Sequence, residues 1–247
     1  MNKVEGIIIR EKDYSDTSKI IDLYTKEYGI ISIIAKGAKS LKSPLRSVTL
    51  KFTYGIFNIH YKEGKLSTLK EVDILNNFKN IKTNINLIAY STYLLDLSEQ
   101  VYKQNNSFDI YNILINTLIK INDLLDPLVL INIVELKYLN YLGVMFDTNK
   151  CSICGSTNII TLSNDKGGYI CSNCKTFEKI LSSKTLKLIR MFYYVDISKI
   201  DKLNISDDIK IEINEFLDNY YLKYTGLYLN SKKFINNIRN IWSYLII

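Results

Sequence analysis

SKIIDLYTKEYGIISIIAKGAKS, residues 18–40, carries two runs dense in Ile, Leu, Tyr and Thr, parted by a turn at Gly29 and followed by small residues and lysines. Such runs bounded by turn residues have the pattern of strands. The same texture extends on both sides. VEGIIIR (4–10) precedes the stretch, and VTLKFTYGIFNIHY (48–61) and KLSTLKEV (65–72) follow it, the last two joined by a predicted hairpin at Gly64 in HYKEGKLS. Five short strands in the first part of the chain predict a small closed or nearly closed barrel, because closure removes exposed edges.

From about residue 84 the apolar period lengthens. Ile85, Ile88, Leu94, Leu95 and Val101 recur at helical spacing, and Ile110, Ile113, Leu114, Leu118 and Ile121 do so again. Asp126 followed by Pro127 is an N-cap with proline at the first helical position, and it opens a third helix that should stop near Gly143. Farther on, Ser182 or Ser183 can cap a helix through Leu186, Ile189 and Met191, Ser206 another that ends at Gly226, and a last helix is expected over 231–241. The expected class is α+β: a barrel over 1–80, then a helical domain over 81–247 that carries a cysteine insert at 148–178.

All four cysteines lie in CSICGSTNIITLSNDKGGYICSNCK, as Cys151-x2-Cys154 and Cys171-x2-Cys174 with sixteen residues between the pairs. This is the two-knuckle spacing of a zinc ribbon, in which each turn aims two thiolates at one tetrahedral ion. NIITLS and YIC can pair across DKGG and bring the knuckles together. A structural Zn²⁺ with four cysteine ligands is expected. Disulfides are disfavoured in a reducing compartment, and a catalytic zinc would need an open coordination position. Bracing of the surrounding helices is preferred over direct nucleic-acid contact as the ribbon's role.

The formal net charge is +7, and its placement matters more than its size. From Tyr28 to Lys62 there are six cations and no carboxylate; Lys36, Lys39, Lys42, Arg46 and Lys51 crowd the segment after the third strand. A solvated surface is the plain reading of such a run. Gly37, Ser40, Ser43 and Ser47 leave room for phosphate to approach. Phe52, Tyr54, Phe57 and Tyr61 could supply aromatic platforms beside the basic groove, some of them being core by alternation. Nucleic acid is therefore the preferred ligand of this loop.

Other functions find little support. There is no GxxxxGK[ST] and no GxGxxG, so no nucleotide cofactor is indicated. His60 has no nucleophile motif around it, and Asp13 with Asp16 reads as a turn, so an enzyme is not expected. The N-terminus lacks a secretory pattern and no apolar run is long enough to span a bilayer, so the expected location is cytoplasmic with no membrane partner.

With these residues in view, GIIIREKDYSDTSKIIDLYTKEYGIISIIAKGAKSLKSPL resembles the N-terminal oligonucleotide/oligosaccharide-binding (OB) barrel of the RecO family of bacterial DNA repair proteins. YLNYLGVMFDTNKCSICG leading to GGYICSNC resembles that family's zinc insert, and LYLNSKKFINNI its C-terminal helix. The resemblance implies a non-enzymatic, nucleoid-associated recombination mediator. Such a protein binds single- and double-stranded DNA, anneals complementary strands, and with RecR helps load RecA onto strands coated by single-stranded DNA-binding protein (SSB), whose acidic C-terminal tail it contacts. Lys36 and Lys39 in AKGAKS match the family's basic loop, while Lys42, Arg46 and Lys51 extend it by charge alone. Cys151, Cys154, Cys171 and Cys174 match its metal ligands. No tail pocket can be assigned, although Lys184, Lys187 and Arg190 are candidates. The alternative reading is an RNA-binding or translation-linked OB and ribbon module.

Overall fold

The computed structural model describes residues 1–235 and 237. Five strands, β1 (Asn2–Asp13), β2 (Lys19–Thr25), β3 (Gly29–Ala35), β4 (Tyr54–His60) and β5 (Ser67–Asn76), close in the order β1-β2-β3-β5-β4. All neighbours are antiparallel except β3 and β5, which pair in parallel through Ile33 and Ile34. The period of two sends Val4, Ile8, Ile21, Leu23, Ile33, Phe57, Ile59 and Leu69 into the barrel, where each is nearly or wholly buried. Gly55 is required where β4 meets β5, because a side chain there would collide with the Asp73 carbonyl. The turn between β4 and β5 is made at Gly64 (φ 63°), as expected.

The fourth strand is shorter than its sequence pattern. Residues 48–53 are not strand: Val48 closes a single helical turn α1 (Leu45–Val48), 49–53 follow it, and Phe52 adopts φ 66°. This left-handed geometry in a bulky residue is held by hydrogen bonds from Phe52 N–H to the Ile8 carbonyl (3.0 Å) and from Ile8 N–H to the Thr53 carbonyl (2.9 Å). It turns the Phe52 ring out of the barrel and into the core shared with the helices.

After a short helix α2 (Lys79–Thr83), three long helices follow: α3 (Ile85–Gln104), α4 (Phe108–Asn122) and α5 (Pro127–Tyr141). Asp126 accepts from Leu128 and Val129 N–H, as an N-cap should, and α5 ends one residue before Leu142 and Gly143 (φ 72°). Nearly every residue of α5 from Leu128 to Leu139 is buried, so this helix is the axis of the helical body. Beyond the cysteine insert come α6 (Ser183–Tyr194), with Ser182 accepting from Thr185 N–H, and α7 (Asp207–Tyr224), which begins after Ser206 without a side-chain cap bond. Residues 230–235 are helical; the remainder of the helix expected over 231–241 falls mostly outside the described residues.

Barrel and helices share one apolar cluster that includes Ile7, Ile9, Tyr24 and Phe52 from the barrel side. Around it, Arg10 on β1 forks onto Glu99 of α3 at 2.6 and 2.8 Å, and Lys103 meets the same carboxylate at 2.8 Å. Tyr54 and Tyr111 both donate to Glu5, at 2.8 and 3.4 Å. Helix α3 thus lies along the barrel, with Thr92 near Lys51, Glu99 near Arg10, and Tyr102 against Tyr24 and Gly29.

Candidate nucleic-acid interface and cysteine site

The cysteine insert contains a hairpin of β6 (Ile159–Ser163) and β7 (Gly168–Cys171), paired antiparallel. At the first knuckle Gly155 N–H donates to the Cys151 carbonyl (3.0 Å), and at the second Lys175 N–H donates to the Cys171 carbonyl (3.0 Å). The four sulfurs lie within 4.8 Å of one another. A tetrahedral ion with bonds of about 2.3 Å places its sulfur ligands roughly 3.8 Å apart, so the cage fits such a metal. The Cys154 and Cys171 sulfurs, at 3.5 Å, are far beyond the ~2.05 Å of a disulfide. Burial opposes ionisation of Cys151, but backbone N–H groups of Cys154, Cys171 and Ile153 hold its thiol at about 6. Four sulfurs at this separation repel one another as thiolates, and a divalent cation relieves that repulsion.

The ribbon is seated on the helices. Tyr169 donates to the Leu186 carbonyl of α6 (2.8 Å), and Phe146 packs edge-on against Tyr169, Phe216 and Tyr220 with ring centroids 5.4 to 5.7 Å apart. Gly168 lies so close to Phe146 that a Cβ would clash.

The basic loop follows β3. Ala38 is buried in the barrel core and Leu45 packs against it, so the loop plugs one end of the barrel and its intervening cations face outward. Lys39 N–H donates to the Thr17 carbonyl (2.9 Å) and Gly37 N–H to Ser18 Oγ (3.4 Å), which fastens the loop to the β1–β2 turn. Lys36, Lys42 and Arg46 are exposed, and their side chains have no hydrogen-bond or ion-pair partner among the described residues.

The other two expected cations differ. Lys39 reaches the Ser15 carbonyl at 3.2 Å and pairs with Asp13 at 2.8 Å, and its bond to Asp13 holds that carboxyl below the usual range. Lys51 does not join the set at all. The left-handed turn at Phe52 directs it to Thr92 of α3 (3.4 Å), and burial there lowers its pKa. Lys39, Ser43, Arg46 and Ser47 line an open concavity of about 630 Å³ whose rim also carries Asp13.

The aromatic platforms are not beside the loop. Phe57 is inside the barrel, Phe52 is in the shared core, and Tyr54 is engaged with Glu5 at the joint. Tyr61 lies at the opposite pole, stacked on Tyr28. Conversely, Lys12 is exposed near the end of β1 at the loop's pole, without an ion-pair partner among the described residues. It is remote in sequence from Lys36, so only strand pairing brings it to this end. Of the C-terminal candidates, Lys184, Lys187 and Arg190 are all exposed along α6. His60 is exposed at the end of β4. Among the described residues no helix is long and apolar enough to cross a membrane.

Comparison with known proteins agrees with this architecture. Residues 1–78 match the family described as recombination protein O N terminal, and residues 82–233 match recombination protein O C terminal. The chain is 35% identical over 246 residues to DNA repair protein RecO of Listeria monocytogenes serotype 4b (strain CLIP80459), covering 96% of this chain and 95% of that protein. It is 34% identical over 245 residues to the RecO of Bacillus pumilus (strain SAFR-032), with 97% and 95% covered. Identity to the RecO of Bacillus subtilis (strain 168) is 32% over 249 residues, with 98% and 96% covered. Barrel, four-cysteine ribbon and near full-length similarity converge: this chain belongs to the RecO family of DNA repair proteins.

Proposed function

We propose that the chain is a non-enzymatic recombination mediator that grips DNA phosphates at the loop-bearing end of its barrel, anneals complementary strands, and works at the nucleoid. The observation that carries this reading is the trio Lys36, Lys42 and Arg46, exposed and unpaired on a loop that the barrel core and the β1–β2 turn hold in place. Fixed cations that screen phosphate repulsion favour pairing of two strands without fuel, in keeping with a sequence that offers no nucleotide motif. Lys39, already paired to Asp13, contributes less, and Lys51 is withdrawn from the proposed set.

The metal is read as Zn²⁺ in a structural role: four thiolates complete a tetrahedron and leave no position for substrate. Cys151, Cys154, Cys171 and Cys174 would hold it. It would lock the ribbon against α6 and α7. The helical body, with the cations of α6, would receive the acidic SSB tail, and the assembly would act with RecR to load RecA.

The test is an annealing assay with complementary oligonucleotides without ATP, beside a salt titration of single-strand affinity. Three phosphate contacts give log K against log salt a slope near −2, at about −0.7 per contact. The Lys36→Glu, Lys42→Glu, Arg46→Glu variant should lose annealing and most of that slope. Equal affinity and slope in the two proteins would refute the interface, and preference for matched RNA over DNA would turn the reading toward an RNA-binding module.

A further inference from the structure

The two ends of the barrel are chemically different. The register pairs Lys19 with Ala35 at one end of β2–β3 and Thr25 with Gly29 at the other. The loop pole therefore holds the β1–β2 turn and residues 36–53. The far pole holds the β2–β3 turn, the end of β4 and the start of β1, where Asn2 pairs with Ile59. At this far pole Tyr28 and Tyr61 stack with ring centroids 4.4 Å apart and planes inclined by 22°. Tyr28 is 38% exposed and Tyr61 is half-buried. The Asn2 amide donates to the Tyr28 hydroxyl at 3.2 Å, which steadies the ring from the side and leaves its faces to stacking. Tyr61 packs in part against the barrel core, so the stack is anchored from beneath while Tyr28 remains exposed to water.

The surrounding charge favours an anionic partner. Lys3, Lys26, Lys62 and Lys65 are exposed here, against the carboxylates Glu27 and Glu63. Lys26 approaches Glu5 only at 4.0 Å, and Lys3, Lys62 and Lys65 have no ion-pair partner among the described residues. Aromatic faces ringed by lysines match the chemistry of unpaired nucleobases on a phosphate backbone, since every base has a π-face and the stack is indifferent to sequence.

We propose that Tyr28 and Tyr61 form a second contact for single-stranded nucleic acid, in which a base extends the tyrosine stack while Lys26, Lys62 and Lys65 meet the adjoining phosphates. Strand β3, seven residues long, separates this platform from the basic loop by roughly 20 Å. Barrels of this kind occupy about 4 to 16 nucleotides, enough for one strand to engage both poles. The loop holds phosphate and does not distinguish single from double strands; the tyrosine pair requires an unstacked base and so favours single strands. The inference rests on the proposed strand-binding function but not on the loop residues themselves.

The experiment measures binding of a labelled oligothymidine of about 16 nucleotides, and of a blunt duplex of equal length, to four full-length proteins. These are the unaltered chain, Tyr28→Ala/Tyr61→Ala, Tyr28→Phe/Tyr61→Phe, and the loop variant Lys36→Glu/Lys42→Glu/Arg46→Glu. The alanine pair should bind the single strand at least roughly fivefold more weakly, as loss of base stacking predicts, with duplex affinity and salt slope unchanged; the phenylalanine pair should bind as the unaltered chain does. Ultraviolet crosslinking of the unaltered protein to the same oligothymidine, followed by peptide mapping, should place adducts on Tyr28 or Tyr61, a readout that does not depend on how a variant folds. Unchanged single-strand affinity in the alanine pair, an equal loss for duplex, or adducts confined to other peptides would each overturn the inference. If the loop variant alone loses binding, only the tyrosine platform fails; if the loop variant also binds normally, the proposed loop interface fails.

Discussion

The ribbon draws its four thiols to within 4.8 Å of each other, whereas the loop spreads its cations: three face water, one pairs with Asp13, and one turns away to α3. Both regions concentrate a single chemistry in a short segment. Thiols converge because two tight turns and one hairpin set their geometry locally, and a cation can reward the convergence. Like charges repel, so a run of lysines carries no instruction to meet, and each side chain goes where the neighbouring tertiary contacts take it.

The largest effect should come from breaking the ribbon. Metal binding in small zinc peptides is worth about 10 to 16 kcal/mol, comparable with the whole stability of a domain. Chelation, or Cys151→Ser with Cys171→Ser, should strip the four-sulfur cage of the metal proposed for it and abolish amide hydrogen-exchange protection across 151–174, while β1–β5 stay protected and oligonucleotide affinity changes little. A parallel fall in barrel protection would mean that ribbon and barrel are not separable. It would also show that the joint transmits more than its contacts suggest.

How much of this could be read from the chain alone follows the same division. The knuckles, the β6–β7 hairpin, the Asp126 cap and the Gly64 turn are local, and each forms where its residues indicate. The β4 boundary was not legible, because VTLKFTYGI (48–56) alternates without interruption across it. Only the bonds of Phe52 and Thr53 to Ile8, far away in sequence, explain the left-handed turn that delays the start of the strand to Tyr54. The same turn removes Lys51 from the loop. Lys12 and the Tyr28–Tyr61 stack were equally hidden, since strand pairing alone brings those residues to their poles. The Arg10–Glu99 fork, across 89 positions, had no local signal either.

That fork sets an intermediate effect and a pH dependence. Burial would raise the Glu99 pKa, but hydrogen bonds from Arg10 and Lys103 overcome it and hold the carboxyl below its ordinary value. A carboxyl depressed in the folded state stabilises above its unfolded pKa, and the contribution disappears as pH falls through the folded one. Arg10→Met should therefore cost about 2 kcal/mol at neutral pH, less than the roughly 3 to 5 kcal/mol of a fully buried pair, because Arg10 is half exposed and Lys103 remains. In denaturant titrations Glu99→Gln should show a shallower loss of stability below about pH 4 than the unaltered chain. Identical acid limbs would remove Glu99 from the account.

The smallest effect discriminates most finely within the loop. Lys42 and Lys51 both belong to the same acid-free run, yet one is exposed and unpaired while the other is half-buried against α3, near Thr92 and the Phe52 ring. If phosphate contact depends on where the fold sends each side chain, Lys42→Met should reduce the salt slope of single-strand binding by about 0.7. Lys51→Met should leave that slope unchanged, and because it spares a cation the cost of burial, its effect on stability should stay within about 0.5 kcal/mol. Equal slopes in the two variants would mean that the loop binds through diffuse charge, with no role for the specific exposures that the barrel imposes. A slope reduced only by Lys51→Met would place the phosphate path at the groove between barrel and α3, and would make the joint, not the loop, the region to compare with the ribbon.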